Sequence, residues 1–202
     1  MTLTFYTHPM SRGRIARWML EESGAPYDTV LIDWEGKPAD LLAANPLGKV
    51  PTIVHDGHVV SEAAAICAYM AEAFPDAGLA PTATERAPYH RWMFFTAGPL
   101  EAAMMDKALG VDVPADRRMM VGYGSFAEAV DTLEHALSDT AYVAGDRFTA
   151  ADVYVGSQVG WFTQFGMLEK RPAFTDYLAR LWDRPAWARA RAIDDALMPK
   201  KE

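Results

Sequence analysis

Asn45-Pro46-Leu47-Gly48-Lys49-Val50-Pro51-Thr52-Ile53, followed shortly by Ser61-Glu62-Ala63, is the stretch on which the fold turns. Two prolines and a glycine run straight into β-branched residues, so a loop ends and a strand begins at Val50-Pro51. Proline cannot donate to a sheet ladder and is confined to a strand's first residue or an exposed edge. A cis Val50–Pro51 bond, open to an X-Pro pair at modest cost, bends the chain and turns the amide and carbonyl of Val50 outward. Beside a sheet edge, such a donor and acceptor form a docking strip for a peptide-like ligand.

Upstream, Thr2 to Thr7 is rich in β-formers and ends at His8-Pro9. From Ser11 to Ser23 the period becomes helical, with Ile15, Ala16, Met19 and Leu20 on one face and Arg14, Arg17 and Glu21 on another. Ser11 reads as the N-cap and Gly24 as the C-terminal stop. Tyr27 to Ile32 reads as a second strand, and 33–44 as loop plus a short helix. Downstream, Thr52 to Val54 and Val59-Val60 flank His55-Asp56-Gly57-His58, and Asp-Gly between apolar runs signals a hairpin. Glu62 to Phe74 is helical again. The order β-α-β-α-β-β-α makes a compact α/β unit.

Pro75 to Glu85 has the Pro, Gly and small-residue content of a connection. Beyond it every long segment has a helical period. Residues 1–77 therefore form an α/β domain, 78–85 a linker, and 86–202 an all-α domain. Pro99 predicts a kink or break near Ala97-Gly98. Phe126 to Leu137 is amphipathic. Thr149-Ala150-Ala151-Asp152 opens a strongly apolar helix with a capping box in which Asp replaces Glu, and Asp152 reads as structural.

Composition narrows the function. The chain has 202 residues, half of them hydrophobic, with 19 basic against 27 acidic side chains and a net charge of −8. No basic excess exists to neutralise phosphates, which argues against a nucleic-acid partner. No window approaches the ~18 apolar residues of a membrane span, and the N-terminus reads as a strand. Cys67 is the only cysteine, so an intramolecular disulfide is excluded and a reducing compartment, the cytoplasm, is expected. The five histidines show no metal-ligand spacing, and neither a nucleophile elbow nor a phosphate-binding loop occurs.

Charge placement points to an anionic ligand. The first 80 residues hold only five basic groups, Arg12, Arg14, Arg17, Lys37 and Lys49, against ten acidic ones. All five fall in the first helix or in two loops that would rim one site. Arg17 has a bland alternative, an i,i+4 pair with Glu21 on a solvated face; Lys37 and Lys49 are the better ligand candidates.

Four patterns in this order, Ser11-Arg12-Gly13-Arg14, Asn45 to Pro51, Ser61-Glu62-Ala63-Ala64-Ala65-Ile66 and Phe148-Thr149-Ala150-Ala151-Asp152, resemble those of the cytosolic glutathione transferase superfamily. The resemblance implies a thioredoxin-like N-terminal domain that holds glutathione and a helical domain that walls an apolar second substrate, in a homodimer without a metal. It implies a cis Pro51, with Val50 pairing its backbone to the cysteinyl unit of glutathione. Lys49 would stand near the glycyl end, and Glu62 would hold the γ-glutamyl amine. The next family position is usually Ser or Thr. Here it is Ala63, which keeps the helix N-terminal amide but lacks the hydroxyl.

The reaction so implied needs a thiolate, and a free thiol has a pKa near ~8.5. A hydroxyl aimed at the sulfur stabilises the anion, and a helix N-terminus adds to it. Ser11, in a His-Pro-x-Ser setting like that of the serine-type branches, is the candidate activator. Tyr6, near the end of strand one, is the alternative. No cysteine lies between that strand and helix one, unlike the cysteine-type branches; Cys67 reads as a core thiol. Trp92, Phe94, Phe95, Met104, Met105, Trp161, Phe162 and Phe165 are mostly core residues, with a few near Pro99 available as substrate wall. Two other readings keep the same fold: glutathione-dependent peroxide reduction or isomerisation, and a non-catalytic binding module, which Ala63 favours.

Overall fold

The computed structural model describes residues 2–198 and divides the chain into two compact units. One takes the chain up to Ala80 together with the residues from Trp182 onward; the other is Pro81–Leu181.

The first unit is thioredoxin-like. Its strands are β1 (Leu3–Thr7), β2 (Asp28–Leu31), β3 (Thr52–His55) and β4 (His58–Ser61), in the sheet order β2-β1-β3-β4. β1 runs parallel to β2 and antiparallel to β3, which pairs antiparallel with β4. The hairpin turn is Asp56-Gly57, both at positive φ (47° and 84°), the two-residue geometry that suits the strand twist. Helices α1 (Gly13–Ser23), α2 (Ala39–Ala44) and α3 (Ala63–Ala73) complete the expected order, and Gly24 at φ 67° closes α1. Ile15, Ala16, Met19 and Leu20 are buried as their spacing predicted. Cys67 is wholly buried in α3, which pushes its thiol well up from the ordinary value.

Two expectations fail here, for one reason. Arg17 is not on a solvated face beside Glu21; it is 1% exposed and its Nε lies 2.7 Å from Asp194 Oδ1. Asp194 belongs to α9 (Pro185–Ala196), which packs on α1 and makes the last helix part of the first unit. The span 86–202 assigned to the helical domain therefore ends earlier, at Leu181. Arg184 to Glu22 (2.7 Å) and Arg14 to Asp195 (2.8 Å) fasten the same helix pair.

The second unit contains α4 (Arg86–Phe95), α5 (Glu101–Leu109), α6 (Phe126–Ser138), α7 (Ala150–Gln164) and nearly all of α8 (Pro172–Trp182). Pro99 interrupts the α-helical pattern where expected, although the helical path continues across it. A π-helical turn, Thr96–Leu100, joins α4 to α5, and the wider turn takes in the proline. Of the aromatic and Met set, Trp92, Met104 and Phe162 are core, whereas Phe94 and Phe165 are exposed. α7 is buried along most of its length, and its capping box of Thr149 and Asp152 is formed as expected.

Candidate active site

Strand register brings the predicted site residues to one end of the first unit's sheet. Tyr6 pairs with Thr52, and Thr52 pairs with Ser61. The loop after β1, the loop before β3 and the β4–α3 junction therefore emerge side by side. These three segments carry Ser11, Lys49-Val50-Pro51 and Glu62-Ala63.

The loop after β1 is self-fastened. Ser11 N–H and Ser11 Oγ both donate to the His8 carbonyl (3.1 and 2.7 Å), and Ser11 Oγ accepts from Gly13 N–H at 2.9 Å. The serine is thus not the formal N-cap; Arg12 is, with no side-chain cap bond, and Ser11 serves the helix start one residue earlier. Its hydroxyl sits at the positive end of α1, where developing negative charge is favoured. Arg14 Nε donates to the Pro9 carbonyl at 2.6 Å, tying the same loop to the helix. His8 Nδ1 accepts from Met10 N–H at 3.1 Å, and its ring lies 4.3 Å from that of Trp34.

Gly13 is required by close approach. A Cβ there would lie 1.9 Å from Thr7 Oγ1 and 2.9 Å from Ser11 Oγ. Gly13→Ala is expected to destabilise the chain by about 1–3 kcal/mol, the cost of overpacking a filled site. Urea unfolding checks this, with Gly36→Ala as control, since nothing lies within 4 Å of a Cβ at Gly36.

The Val50–Pro51 bond is cis. Pairing of β3 begins at Thr52, so Val50 lies just outside the ladder. The preceding loop is held from beneath by Asn45, which is 7% exposed. Its Nδ2 donates to the Lys49 carbonyl and to Thr52 Oγ1 (both 3.1 Å), and Thr52 Oγ1 donates to the same Lys49 carbonyl at 2.9 Å. Val50 packs against a cluster of Tyr6, Ile32 and Leu41. Tyr6 is therefore a buried support under the loop, whereas Ser11 lies in the loop after the strand. Lys37 reaches this region: its Nζ lies 3.1 Å from where a Cβ of Gly48 would stand, and Gly48 has φ 58°. Lys37 and Lys49 thus flank Gly48, with Lys49 exposed.

Glu62 is at φ 66°, ψ 120°, a conformation uncommon for a non-glycine residue. Its side chain is exposed and makes no cap bond. Strain of this kind costs of the order of 1–3 kcal/mol and gathers at ligand clamps. Ala63 follows as the first residue of α3, and the first intrahelical bond is Ile66 N–H to the Glu62 carbonyl at 2.9 Å. The amides of Ala63 to Ala65 precede it at the helix start.

Asn45 and Thr52 stood in the deciding stretch without a role of their own, and Thr7 had none beyond its strand. Asn before Pro carries a turn signal, but its burial under the cis bond is a tertiary fact. Arg17, one of the five clustered bases, is withdrawn from the site by its pairing with Asp194. Among the described residues no group of three or more His, Cys, Asp or Glu could hold a metal ion, and no helix is long and apolar enough to cross a membrane.

Two family models match: the glutathione S-transferase N-terminal domain over residues 10–73 and the C-terminal domain over 100–180. A probable glutathione S-transferase of Oryza sativa subsp. japonica is 31% identical over 89% of this chain and 80% of its own length. The chain belongs to the glutathione S-transferase family. Glutathione S-transferase F10 of Arabidopsis thaliana is 26% identical over 95% of this chain and 97% of its own. A sphingomonad glutathione S-transferase solved with glutathione is 25% identical, with a TM-score of 0.75 over 95% of this chain and 98% of its own. Both expected domains of the family are therefore present, with the thioredoxin-like one carrying the loops described above.

Proposed function

We propose that this chain is a glutathione transferase that activates the glutathione thiol for attack on small apolar electrophiles. The carrying observation is the register that delivers Ser11, Val50-Pro51 and Glu62-Ala63 to one end of a single sheet. Glutathione bound to the sphingomonad relative supports the choice of ligand. In this reading Val50 pairs its backbone with the cysteinyl unit. Glu62 meets the γ-glutamyl amine, the Ala63 amide meets the neighbouring carboxylate, and Lys37 and Lys49 face the glycyl carboxylate. A cytoplasmic homodimer, as the family implies, completes the proposal.

The chemistry follows from charge. The thiol proton leaves to solvent; the sulfur then forms a C–S bond to the electrophile as the leaving group departs with its electron pair, or as an activated double bond takes up the charge. Only the thiolate attacks. Ser11 lowers its cost by turning its hydroxyl from the His8 carbonyl to the sulfur, at the positive end of α1. Tyr6, buried in the cluster beneath Val50, is less well placed for that role.

Ser11→Ala is expected to lower turnover with a model aryl halide by roughly 10²-fold, the scale of losing one preorganised donor, while retention on immobilised glutathione persists. Tyr6→Phe should leave turnover near that of the parent. Unchanged turnover in Ser11→Ala would move the role to Tyr6 or to backbone amides. Failure of the parent chain to be retained, together with no thermal shift in millimolar glutathione, would favour a binding module with another ligand.

A further inference from the structure

Thr7 ends β1 with its side chain fully buried, and its Oγ1 has no hydrogen-bond partner among the described residues. A buried hydroxyl left unpaired costs free energy, and native structures keep such groups few. The space beside it is specific. The position a Cβ of residue 13 would take lies 1.9 Å from Thr7 Oγ1 and 2.9 Å from Ser11 Oγ, so both hydroxyl oxygens converge on the bare face of Gly13. Ser11 Oγ accepts from Gly13 N–H and donates to the His8 carbonyl, which leaves one of its two lone pairs open. The His8 carbonyl also accepts from Ser11 N–H. Ser11 can therefore turn its proton away without orphaning that carbonyl.

We propose that Thr7 is a positioning residue for Ser11: its hydroxyl donates to the open lone pair of Ser11 Oγ once Ser11 turns its proton from the His8 carbonyl to the glutathione sulfur. The inference rests on the assignment of Ser11 as the donor to the thiolate. A hydroxyl that accepts one hydrogen bond becomes a stronger donor in the next, an effect of about 10–30% per bond. No proton moves along Thr7. The bond is not made at rest, where Thr7 Oγ1 has no partner among the described residues; it forms as Ser11 Oγ swings toward Thr7 while its proton turns to the sulfur, so it favours the reactive state over the resting one. The unpaired hydroxyl of the resting site is the cost of that difference.

The test compares Thr7→Val, Thr7→Ser and Ser11→Ala in the full chain. It follows kcat/KM for an aryl halide against pH at saturating glutathione. Thr7→Val is expected to lower kcat/KM about three- to tenfold near pH ~6.5, as when a thiol's titration moves up by half a unit to one unit. It should converge on the parent at high pH, where the thiolate forms unaided. Thr7→Ser should restore the parent profile. The melting temperature of Thr7→Val should equal or exceed the parent's, because the variant deletes an unpaired hydroxyl. A parent-like profile for Thr7→Val, alongside a displaced one for Ser11→Ala, would overturn this inference and leave the Ser11 assignment standing. An unmoved profile in Ser11→Ala would overturn both. Equal loss at every pH with a lowered melting temperature would make Thr7 merely structural and also overturn it.

Discussion

Asp152→Ala is expected to destabilise the helical unit by about 3–5 kcal/mol, the scale for leaving several buried donors without their acceptor. Asp152 is fully buried and its carboxylate accepts four hydrogen bonds. Val143 N–H and Tyr177 Oη reach Oδ1, each at 2.8 Å; Thr149 N–H (2.8 Å) and Thr149 Oγ1 (3.1 Å) reach Oδ2. Four donors facing one side chain demand an acceptor-only group, and the ionised carboxylate is the side chain that supplies it. Burial pushes the Asp152 carboxyl up, while these donors pull it back. Burial and the neighbouring carboxylate push the Tyr177 phenol well up, which keeps it a neutral donor.

Removing the carboxylate strands the start of α7, the turn at Val143 and the ring of Tyr177 on α8 together. Asparagine does not rescue it, because its amide hydrogens would face donors; a loss of about 2–4 kcal/mol is expected on the same reasoning. Tyr177→Phe, which withdraws a single donor, should cost only about 1–2 kcal/mol. Urea midpoints for the three variants test the ranking. Against a total stability of about 5–15 kcal/mol, the alanine variant should be poorly soluble or partly unfolded at growth temperature. A shift below about 1 kcal/mol would show that the network is relieved by water rather than by structure.

What could be read before the structure was what depends on local chemistry. Pro51 after Val50, Asp56-Gly57 between apolar runs, Gly24 after a helical period and Asp152 three residues beyond Thr149 each constrain their own neighbours. Each signal produced the turn, stop or cap it implied. The loops of the candidate site were legible for that reason. Where distant segments meet was not. Nothing local distinguishes Arg17 from Arg14, one turn earlier on α1, yet Arg17 is buried and Arg14 stays at the edge. Nor does Asp194 announce that α9 returns to the first unit. Thr7 looked like any β-former at a strand end; its significance comes from the bare face of Gly13 and the hydroxyl of Ser11 across it. Pro99 marked an interruption, and the α-helical pattern does give way at Thr96–Leu100; that a π turn carries the path across it was not legible locally.

Arg17→Ala should destabilise the thioredoxin-like unit by about 3–5 kcal/mol, because it leaves Asp194 as an uncompensated buried charge. Both side chains are 1% exposed, and the Nε–Oδ1 separation is 2.7 Å. The guanidinium also donates Nη1 to Tyr27 Oη and Thr29 Oγ1, each at 3.2 Å, and lies 5.1 Å from the centroid of the Phe5 ring. Arg17 thus fixes α1 to β2 as well as to α9. Satisfaction is incomplete, since Arg17 Nη2 and Asp194 Oδ2 are buried without partners among the described residues. Burial pushes the Asp194 carboxyl up against the pull of Arg17. A pair so placed adds little net stability but is costly to break. The double replacement Arg17→Met with Asp194→Leu should therefore recover most of what either single change loses. Guanidinium unfolding of the two single variants and the double variant measures the coupling. Glutathione affinity supplies the second readout. If Arg17 serves the fold alone, the refolded double variant binds glutathione as the parent does. A tenfold weaker affinity in that stable variant would return Arg17 to the list of ligand-facing bases, beside Lys37 and Lys49.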